Sequence, residues 1–198
     1  MTKPENRQAL RTESTRARLL EVARGLFAER GFAGVPAEEL VARAGLTRGA
    51  LYHHFGGKEG LFAALYEQMQ QELTEQINAR AEGALDPWSA LKLGCQAFLE
   101  ACTDRAVQQI VLLDAPAVLS WERWREVDSQ YGLGSLKDGL QAAMQAGFLK
   151  PQPLDALAHL LEGAMNEAAM WIARSPDPKT ALQQAHKALD GLLEGLRH

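Results

Sequence analysis

A helical period runs through almost the whole of this sequence. Apolar residues recur every three or four positions, and glycine and proline separate the periodic segments. No segment shows a convincing alternation of apolar and polar residues, which is the pattern of a half-buried strand. A chain of 198 residues is also long enough to bury a core without disulfides. The sequence therefore predicts an all-α fold.

Glycine, proline and capping residues mark where the helices begin and end. We predict a mobile tail over about residues 1–10 and a first helix over about 14–30 that Gly31 ends. Asp86-Pro87 and Asp177-Pro178 each combine an N-cap residue with a proline in the first turn. The further predicted helices cover about residues 36–44, 48–55, 58–80, 86–103, 104–114, 120–145, 154–174 and 178–196.

The two cysteines and the absence of long apolar stretches limit the class of protein. Cys95 and Cys102 lie seven positions apart, which on one helix is about 10.5 Å along the axis. A disulfide tolerates a Cα separation of only about 7 Å, so we predict two free thiols and a reducing, cytoplasmic location. No apolar stretch approaches the roughly 20 residues that span a bilayer, and the polar first 18 residues lack a secretory signal. We predict no membrane contact.

Charge is distributed unevenly along the chain. Residues 1–60 contain 10 Lys and Arg against 7 Asp and Glu, whereas the remainder contains 11 against 18. The formal charge is therefore +3 over residues 1–60 and −7 over the remainder, which together give the net charge of −4. A basic head attracts nucleic acid, although an excess this small also arises by chance.

Two short predicted helices with a tight turn between them lie within the stretch VPAEELVARAGLTRGALYHHFGGK, residues 35–58. Thr47 is placed to cap the second helix, and Leu46 and Leu51 have the spacing of a hydrophobic staple. Leu51 and Phe55 then face the core. This layout is typical of helix-turn-helix DNA-binding proteins, but helical proteins that never bind DNA share it.

The opposite face of the second short helix carries groups suited to a major groove. Arg48 has the geometry to pair with O6 and N7 of guanine, and a small residue, Gly49, lies beside it. Neighbouring imidazoles on a helix point about 100° apart, so His53 and His54 do not predict a metal site. Tyr52 and His54 are equally explained as packing residues. The candidate donors to DNA phosphates are Tyr52, His53, His54 and Lys58.

Residues 19–62 closely resemble the DNA-binding head of the TetR (tetracycline-repressor-like) family. The matching features are Leu26-Phe27, Gly31-Phe32, Val41-Ala42, Ala44-Gly45, the run Thr47–Phe55 (TRGALYHHF), Lys58-Glu59 and Leu61. The resemblance implies an all-α homodimer that represses transcription from a palindromic operator until a small-molecule effector releases it. It also implies a helix-turn-helix head over residues 1–57, joined by a long helix to an effector-binding and dimerisation domain over residues 58–198.

The resemblance assigns roles to individual residues of the head. Family members usually carry Ser or Thr at the positions of Val35 and Pro36, where a hydroxyl caps the helix and touches a phosphate. Neither hydroxyl is present here, so we expect fewer phosphate contacts or more reliance on the tail residues Lys3, Arg7 and Arg11. The resemblance places Arg48 and Gly49 at base edges, and Thr47, Tyr52, His53, His54 and Lys58 mainly at the DNA backbone.

The last two helices have broad apolar stripes. The pattern alone does not distinguish a dimer interface from the core of a single chain, whereas the resemblance favours a dimer. A two-fold dimer would place its two reading helices roughly 34 Å apart, one turn of DNA. The candidate interface residues are Leu161, Ala168, Leu182, Leu189 and Leu193.

The region beyond residue 60 holds all four tryptophans and several soft apolar side chains. Such a lining suits a cavity for a small apolar or amphipathic effector, although each residue taken singly is better explained as ordinary core. Residues 113–134 also resemble a C-terminal subgroup of the same family. The candidate lining residues are Phe98, Cys102, Met144 and Met165.

Two other functional classes remain open at this stage. The sequence has no G-x-S-x-G, H-E-x-x-H or C-x-x-C motif, and we predict no catalytic residue, cofactor or metal. A helical module that binds another protein is also compatible with the acidic body. Operator binding and oligomeric state distinguish these possibilities from a repressor.

Overall fold

A computed structural model describes the backbone of residues 4–197 and the side chains of residues 12–197. Within this range the fold is all-α, as the sequence predicts, and none of these helices is long and apolar enough to cross a membrane. The elements are α1 Pro4–Arg30, α2 Ala37–Ala44, α3 Arg48–Phe55, α4 Lys58–Ala81, α5 Pro87–Ala101, a π-helix Val107–Asp114, α6 Ala115–Val118, α7 Trp121–Gln130, α8 Gly132–Gln145, α9 Leu154–Arg174 and α10 Pro178–Gly195.

The first three helices and the start of α4 form a small head with its own core. The rings of Phe27 and Phe62 are fully buried, with centroids 5.6 Å apart in an edge-on arrangement. Leu19, Leu40 and Leu51 bring one side chain from each of α1, α2 and α3 into the same core. Burial of each such side chain contributes about 1.5–3 kcal/mol, so the orientation of α3 depends on this apolar centre.

Helix α4 connects the head to the body, which comprises the later helices. It packs against α1 and α3 in the head and against α5 in the body. Its buried stripe runs without a break from Leu61 to Leu73. An ion pair of 2.6 Å between Arg24 of α1 and Glu72 of α4 adds a polar link. A displacement of α4 in the body would therefore be felt in the head.

The approach of α4 to α3 depends on Gly60. A Cβ atom at this position would lie 1.7 Å from the carbonyl oxygen of Phe55, which no side chain can accommodate. Glycine is therefore required for α4 to pass this close to the end of α3, and the angle between these helices is fixed at that point.

The first helix begins earlier than the sequence predicted. Its backbone is helical from Pro4, whereas the predicted start was near residue 14, and residues 1–3 lie outside the described part. Residues such as Glu5, Gln8 and Ala9 are good helix formers, which is consistent with the earlier start. The side chains of Lys3, Arg7 and Arg11 lie outside the described residues.

Two predicted helices of the body differ in the structure. Residues 107–114 form a π-helix. Just before it, the Asp104 side chain accepts hydrogen bonds from the N–H groups of Ala106 and Val107. Eight residues are too few for apolar spacing to separate this wider helix from an α-helix. The predicted helix over 120–145 is broken at Tyr131, whose backbone is non-helical, into α7 and α8.

The capping predictions are confirmed. Asp86 accepts a hydrogen bond of 2.9 Å from the N–H of Ser89, and Asp177 accepts one of 3.2 Å from that of Thr180. Each aspartate satisfies a donor in the first turn of α5 or α10, where the proline supplies none. Cys95 and Cys102 are free and buried, as expected for two structural thiols.

Candidate DNA-binding surface and ligand cavity

The turn between α2 and α3 positions α3 through a small set of local contacts. Gly45 adopts a left-handed conformation with φ of 65°, and the N–H of Leu46 donates to the carbonyl of Val41 at 2.9 Å. The Thr47 hydroxyl then accepts a hydrogen bond of 3.2 Å from the N–H of Ala50, which confirms it as the N-cap of α3. Leu51 is fully buried, so the opposite face of α3 points into solvent.

That solvent-facing side carries Arg48, Gly49, Tyr52 and His53, all exposed. Tyr52 is 51% exposed, which is high for a tyrosine that packs only against its own chain. The Arg48 guanidinium lies 3.2 Å from the carboxylate of Glu38 on α2 and donates to the Tyr52 hydroxyl at 3.5 Å. Glu38 therefore holds the arginine over α3, a contact that the sequence analysis missed.

Two arginines of α1 position the end of each short helix. Arg16 donates to the carbonyl of His54 at 2.9 Å, and its guanidinium stacks 4.5 Å from the centre of the Phe55 ring. Arg18 donates to the carbonyl of Ala44, the last residue of α2. These cations satisfy carbonyl groups at helix C-termini, where positive charge is favourable. The basic residues before Leu19 gave no indication of this role in the sequence.

His54 and Lys58 differ from the fully exposed residues of α3. Burial, followed by the charges of His53 and Arg16, lowers the pKa of His54, so this imidazole is neutral at pH 7. Burial also lowers the pKa of Lys58, whose ammonium lies 3.9 Å from the centre of the Phe32 ring. A contact of Lys58 with DNA would therefore require its side chain to leave this ring.

The start of α2 lacks a side-chain cap, as the residues there predict. Pro36 occupies the N-cap position and supplies no hydrogen bond to the first turn. Val35 is fully buried in the core of the head. Glu38 and Glu39 lie in the first turn instead, where negative charge is favourable for the helix but not for an approaching phosphate.

Arg105, just before the π-helix, and Asp114, its last residue, form hydrogen bonds with the end of α1 and the segment that follows it. We call these two residues and their hydrogen bonds the α1 clamp. Arg105 donates to the carbonyls of Ala28 and Glu29 at 3.1 and 3.0 Å. Asp114 accepts a hydrogen bond of 2.7 Å from the N–H of Phe32. The chain is thus bonded, both just before the π-helix and at its last residue, to the segment that leads into the helix-turn-helix.

A cavity of about 610 Å³ lies in the body among α4, α5, the π-helix, α7, α8 and α9. Of the four candidate lining residues, Phe98 and Met165 line this cavity, whereas Cys102 and Met144 lie outside its lining. Cys102 follows the last turn of α5, and Cys95, two turns earlier, lines the cavity instead. Burial raises the pKa of each thiol to about 12, so both cysteines act as neutral, apolar groups.

The π-helix contributes to this same cavity. Val111 and Leu112 line the wall, and Pro116 of the adjoining α6 extends it. Asp114, which belongs to the α1 clamp, lies between them in the chain. One short element therefore touches both the cavity and the head.

A polar cluster occupies one side of the cavity wall. Gln70 is buried and donates to the Tyr66 hydroxyl at 2.9 Å, and burial raises the pKa of that tyrosine. Arg125 pairs with Asp128 at 2.7 Å and approaches Glu162 at 3.5 Å. Burial raises the pKa of both carboxyl groups, and the charge of Asp128 raises that of Glu162 further. Glu162 is therefore the group that retains a proton most readily.

The candidate dimer residues lie mostly inside the single chain. Leu161, Leu189 and Leu193 are buried in its own core, and Ala168 and Leu182 are partly buried. Apolar spacing could not separate the inner face of α9 and α10 from an outer one, because both faces carry leucine. The large apolar side chains that these two helices leave in solvent are Leu160, Trp171 and Leu192.

A helix-turn-helix with an exposed arginine-tyrosine face, joined to a helical body with a cavity, is typical of DNA-binding transcriptional regulators. The sequence comparisons identify its family. A model of the tetracyclin repressor-like C-terminal domain matches residues 88–196, more than half of the chain, and one of bacterial regulatory proteins of the tetR family matches residues 19–65. The chain belongs to the TetR family, as its sequence resemblance predicted.

Three relatives illustrate the similarity over most of the chain. A TetR-family transcriptional regulator from Pectobacterium atrosepticum is 39% identical, with a TM-score of 0.78 over 100% of this chain and 98% of that one. The transposon Tn10 TetC protein from Escherichia coli is 28% identical over 80% of each chain. The transcriptional repressor KstR2 of Mycobacterium tuberculosis is 25% identical over 96% of this chain and 97% of its own.

Proposed function

We propose that the protein is a homodimeric repressor that binds a palindromic operator through α3 and is released when a small apolar or amphipathic molecule occupies the body cavity. The observation that supports this proposal most strongly is the exposed face of α3. This face points into solvent because Leu51, on the opposite side of the helix, is buried. We divide the chain into a head over residues 1–57 and an effector and dimerisation domain over residues 58–198.

The residues proposed to meet DNA fall into two groups. Arg48 is proposed to read a guanine and Gly49 to let the backbone approach the base edges. Thr47, Tyr52 and the imidazole of His53 are proposed to contact phosphates, with His54 and Lys58 in secondary roles because both are partly buried. To contact DNA, Arg48 must give up its ion pair with Glu38. Glu38 therefore favours DNA sequences that offer Arg48 a strong hydrogen-bond acceptor.

The effector is proposed to act through the π-helix. A molecule that fills the cavity presses on Val111 and Leu112, and the α1 clamp passes that displacement to the end of α1. The common helix α4, which also lines the cavity, supplies a second route. Coupling between two such sites is typically about 1–3 kcal/mol, or 5–150-fold in affinity.

The dimer is proposed to form through the outer faces of α9 and α10. Leu160 and Leu192 are 73% and 59% exposed, and Trp171 continues the apolar surface. Two small residues of these helices, Ala164 and Ala188, are also exposed, and small side chains permit close approach of a second helix pair. This surface replaces the buried leucines of the sequence-based hypothesis.

We infer that the protein acts by binding and not by catalysis.

The test is a titration of the protein with DNA from upstream of its own gene. We expect protection of a two-fold symmetric site, and an affinity that falls steeply between about 50 and 200 mM salt because phosphate contacts release counterions. Arg48→Ala and Tyr52→Ala should each weaken binding, while Arg80→Ala, which changes an exposed arginine at the far end of α4, should not. Equal affinity of all four proteins would overturn the proposal.

A further inference from the structure

The charge of the cavity lining suggests which chemical class of molecule it admits. Of the described residues that line the cavity, four carry carboxylates and none is Lys, Arg or His. Two of these acids, Asp138 and Glu167, are exposed, whereas Asp128 is buried and Glu162 is partly buried. The cavity therefore has acidic groups both where it meets solvent and along its inner wall.

Arg125, the arginine that pairs with the inner carboxyl groups, does not balance this charge, although His159 also acts on Asp128. Arg125 lies outside the lining and bonds Asp128 at 2.7 Å, with Glu162 at 3.5 Å. Its guanidinium also stacks against the rings of Trp121 and Trp124, at 5.0 and 4.5 Å from their centres. One arginine faces two inner carboxyl groups and lies closer to Asp128, so an ionised Glu162 must share its cation.

An amide oxygen beside the carboxyl groups is available to a ligand. Gln70 is 5% exposed and donates its Nε2 hydrogen to Tyr66, but its amide oxygen accepts no hydrogen bond from a described residue. Gln70 and Glu162 both line the cavity. A ligand that donates a hydrogen bond would supply a partner for the Gln70 amide oxygen.

The remainder of the lining is apolar and aromatic. Phe98, Trp124 and Tyr131 supply ring surfaces, and Met165 and Met170 supply adaptable thioethers. Aromatic faces attract organic cations as well as apolar groups, so this wall suits the body of a positively charged molecule. An anionic ligand would instead meet four carboxylates and no compensating lysine, arginine or histidine.

From this arrangement we propose that the cavity binds amphipathic organic cations, such as protonated aromatic amines, with the ammonium group at Glu162 and Asp128 and the ring system against Phe98 and Trp124. The inference rests on the proposed function, because it names the chemical class of effector for the same cavity. Burial favours the protonated form of Glu162 in the free protein, and an arriving cation favours its ionised form.

The test uses three probes that share one ring system and differ in charge: naphthylethylamine, naphthylethanol and naphthylacetate. Binding to the full chain is measured by isothermal titration calorimetry without DNA. We expect the amine to bind about tenfold or more tighter than the alcohol, since opposite charges interact strongly in a partly buried site, and the carboxylate to bind weakest. Equal or tighter binding of the alcohol or the carboxylate would overturn the proposal, as would failure of all three to bind.

Substitutions then place the cation. Glu162→Gln should weaken the amine about tenfold and leave the alcohol within about twofold, and Asp128→Asn should act in the same direction. Glu122→Gln, which changes an exposed acid of α7 outside the lining, is the matched control and should change neither. An amine affinity that survives Glu162→Gln in a protein with an unchanged melting temperature would overturn the assignment.

The outcome can be separated from that of the proposed function. The same preparations are titrated with the operator fragment. If operator binding is intact and the amine does not bind, only the cation proposal fails. If the amine binds as expected and no DNA sequence is preferred, the proposed repressor function fails while the cavity chemistry stands.

Discussion

The carboxylate of Asp114 accepts a hydrogen bond of 2.7 Å from the backbone N–H of Phe32, 82 positions earlier in the chain. The bond joins the end of the π-helix, which lines the cavity, to the segment just after α1. Asp114 is itself oriented by the side-chain amide of Gln109, which donates at 3.0 Å. This contact is a direct polar connection between the π-helix and the head.

Removal of that connection should affect both stability and DNA binding. In Asp114→Ala the Phe32 N–H loses its partner, so we expect the free energy of unfolding to fall by about 1–3 kcal/mol in urea titrations. We also expect operator affinity to fall by about threefold or more, because the clamp holds α1 in its DNA-binding position. Asp114→Asn keeps one acceptor oxygen and should recover part of both losses. A destabilised Asp114→Ala protein with unchanged operator affinity would make the clamp purely structural.

Gly49 allows the interface to be tested without disturbing the fold. A Cβ atom there would lie 3.7 Å from the Thr47 hydroxyl, an ordinary contact, and alanine favours a helix over glycine by about 1 kcal/mol. Gly49→Ala should therefore unfold at an equal or higher temperature and yet bind its operator more weakly, because the methyl group separates α3 from the base edges. Circular dichroism and a DNA titration measure the two effects, and full affinity would exclude Gly49 from the interface.

The proposed dimer surface predicts a position-dependent effect of one substitution. Leu192→Glu places a charge on the outer face of α10 and should convert the dimer into a monomer in sedimentation velocity. Leu85→Glu is the matched control, since Leu85 is more exposed still but lies between α4 and α5. The control should remain dimeric. A dimer that tolerates Leu192→Glu would place the interface on another surface.

The inner carboxyl groups predict how stability depends on pH. Burial and the neighbouring Asp128 raise the pKa of Glu162 from 4.5 to about 7, so the folded chain holds a proton that the unfolded chain has released. Stability from this group is fully present below pH 4.5, and it is lost as pH rises towards 7. Glu162→Gln should remove about 1–3 kcal/mol of this pH-dependent loss in the free energy of unfolding, as measured by urea unfolding at several pH values. An unchanged slope would contradict the assignment.

Local signals made most of the head predictable from sequence. Thr47 identified the start of α3 because a capping hydroxyl acts on the next few residues of its own chain, and Gly45 identified the turn for the same reason. The inward face of Leu51 followed from its spacing. What spacing could not supply was contact between distant segments, such as Arg16 with the end of α3 or Asp114 with Phe32.

The body was predictable in class and not in detail. A stripe of leucines on α9 and α10 does not reveal which leucines face the core, because both faces are apolar, and Leu193 proved fully buried while Leu192 is exposed. In the same way, Cys95 lines the cavity and Cys102 does not, although both are buried cysteines of one region. Which side of a helix borders an empty volume depends on the packing of several helices at once.

Arg48 is proposed to read a guanine from α3, and one double-mutant cycle tests this contact directly. Wild-type protein and Arg48→Ala are each titrated with the operator and with operators in which one guanine N7 is replaced by carbon. At the contacted guanine, we expect the wild type to lose about 1–3 kcal/mol of binding free energy and Arg48→Ala to lose almost nothing further. Equal losses for both proteins at every guanine would contradict it.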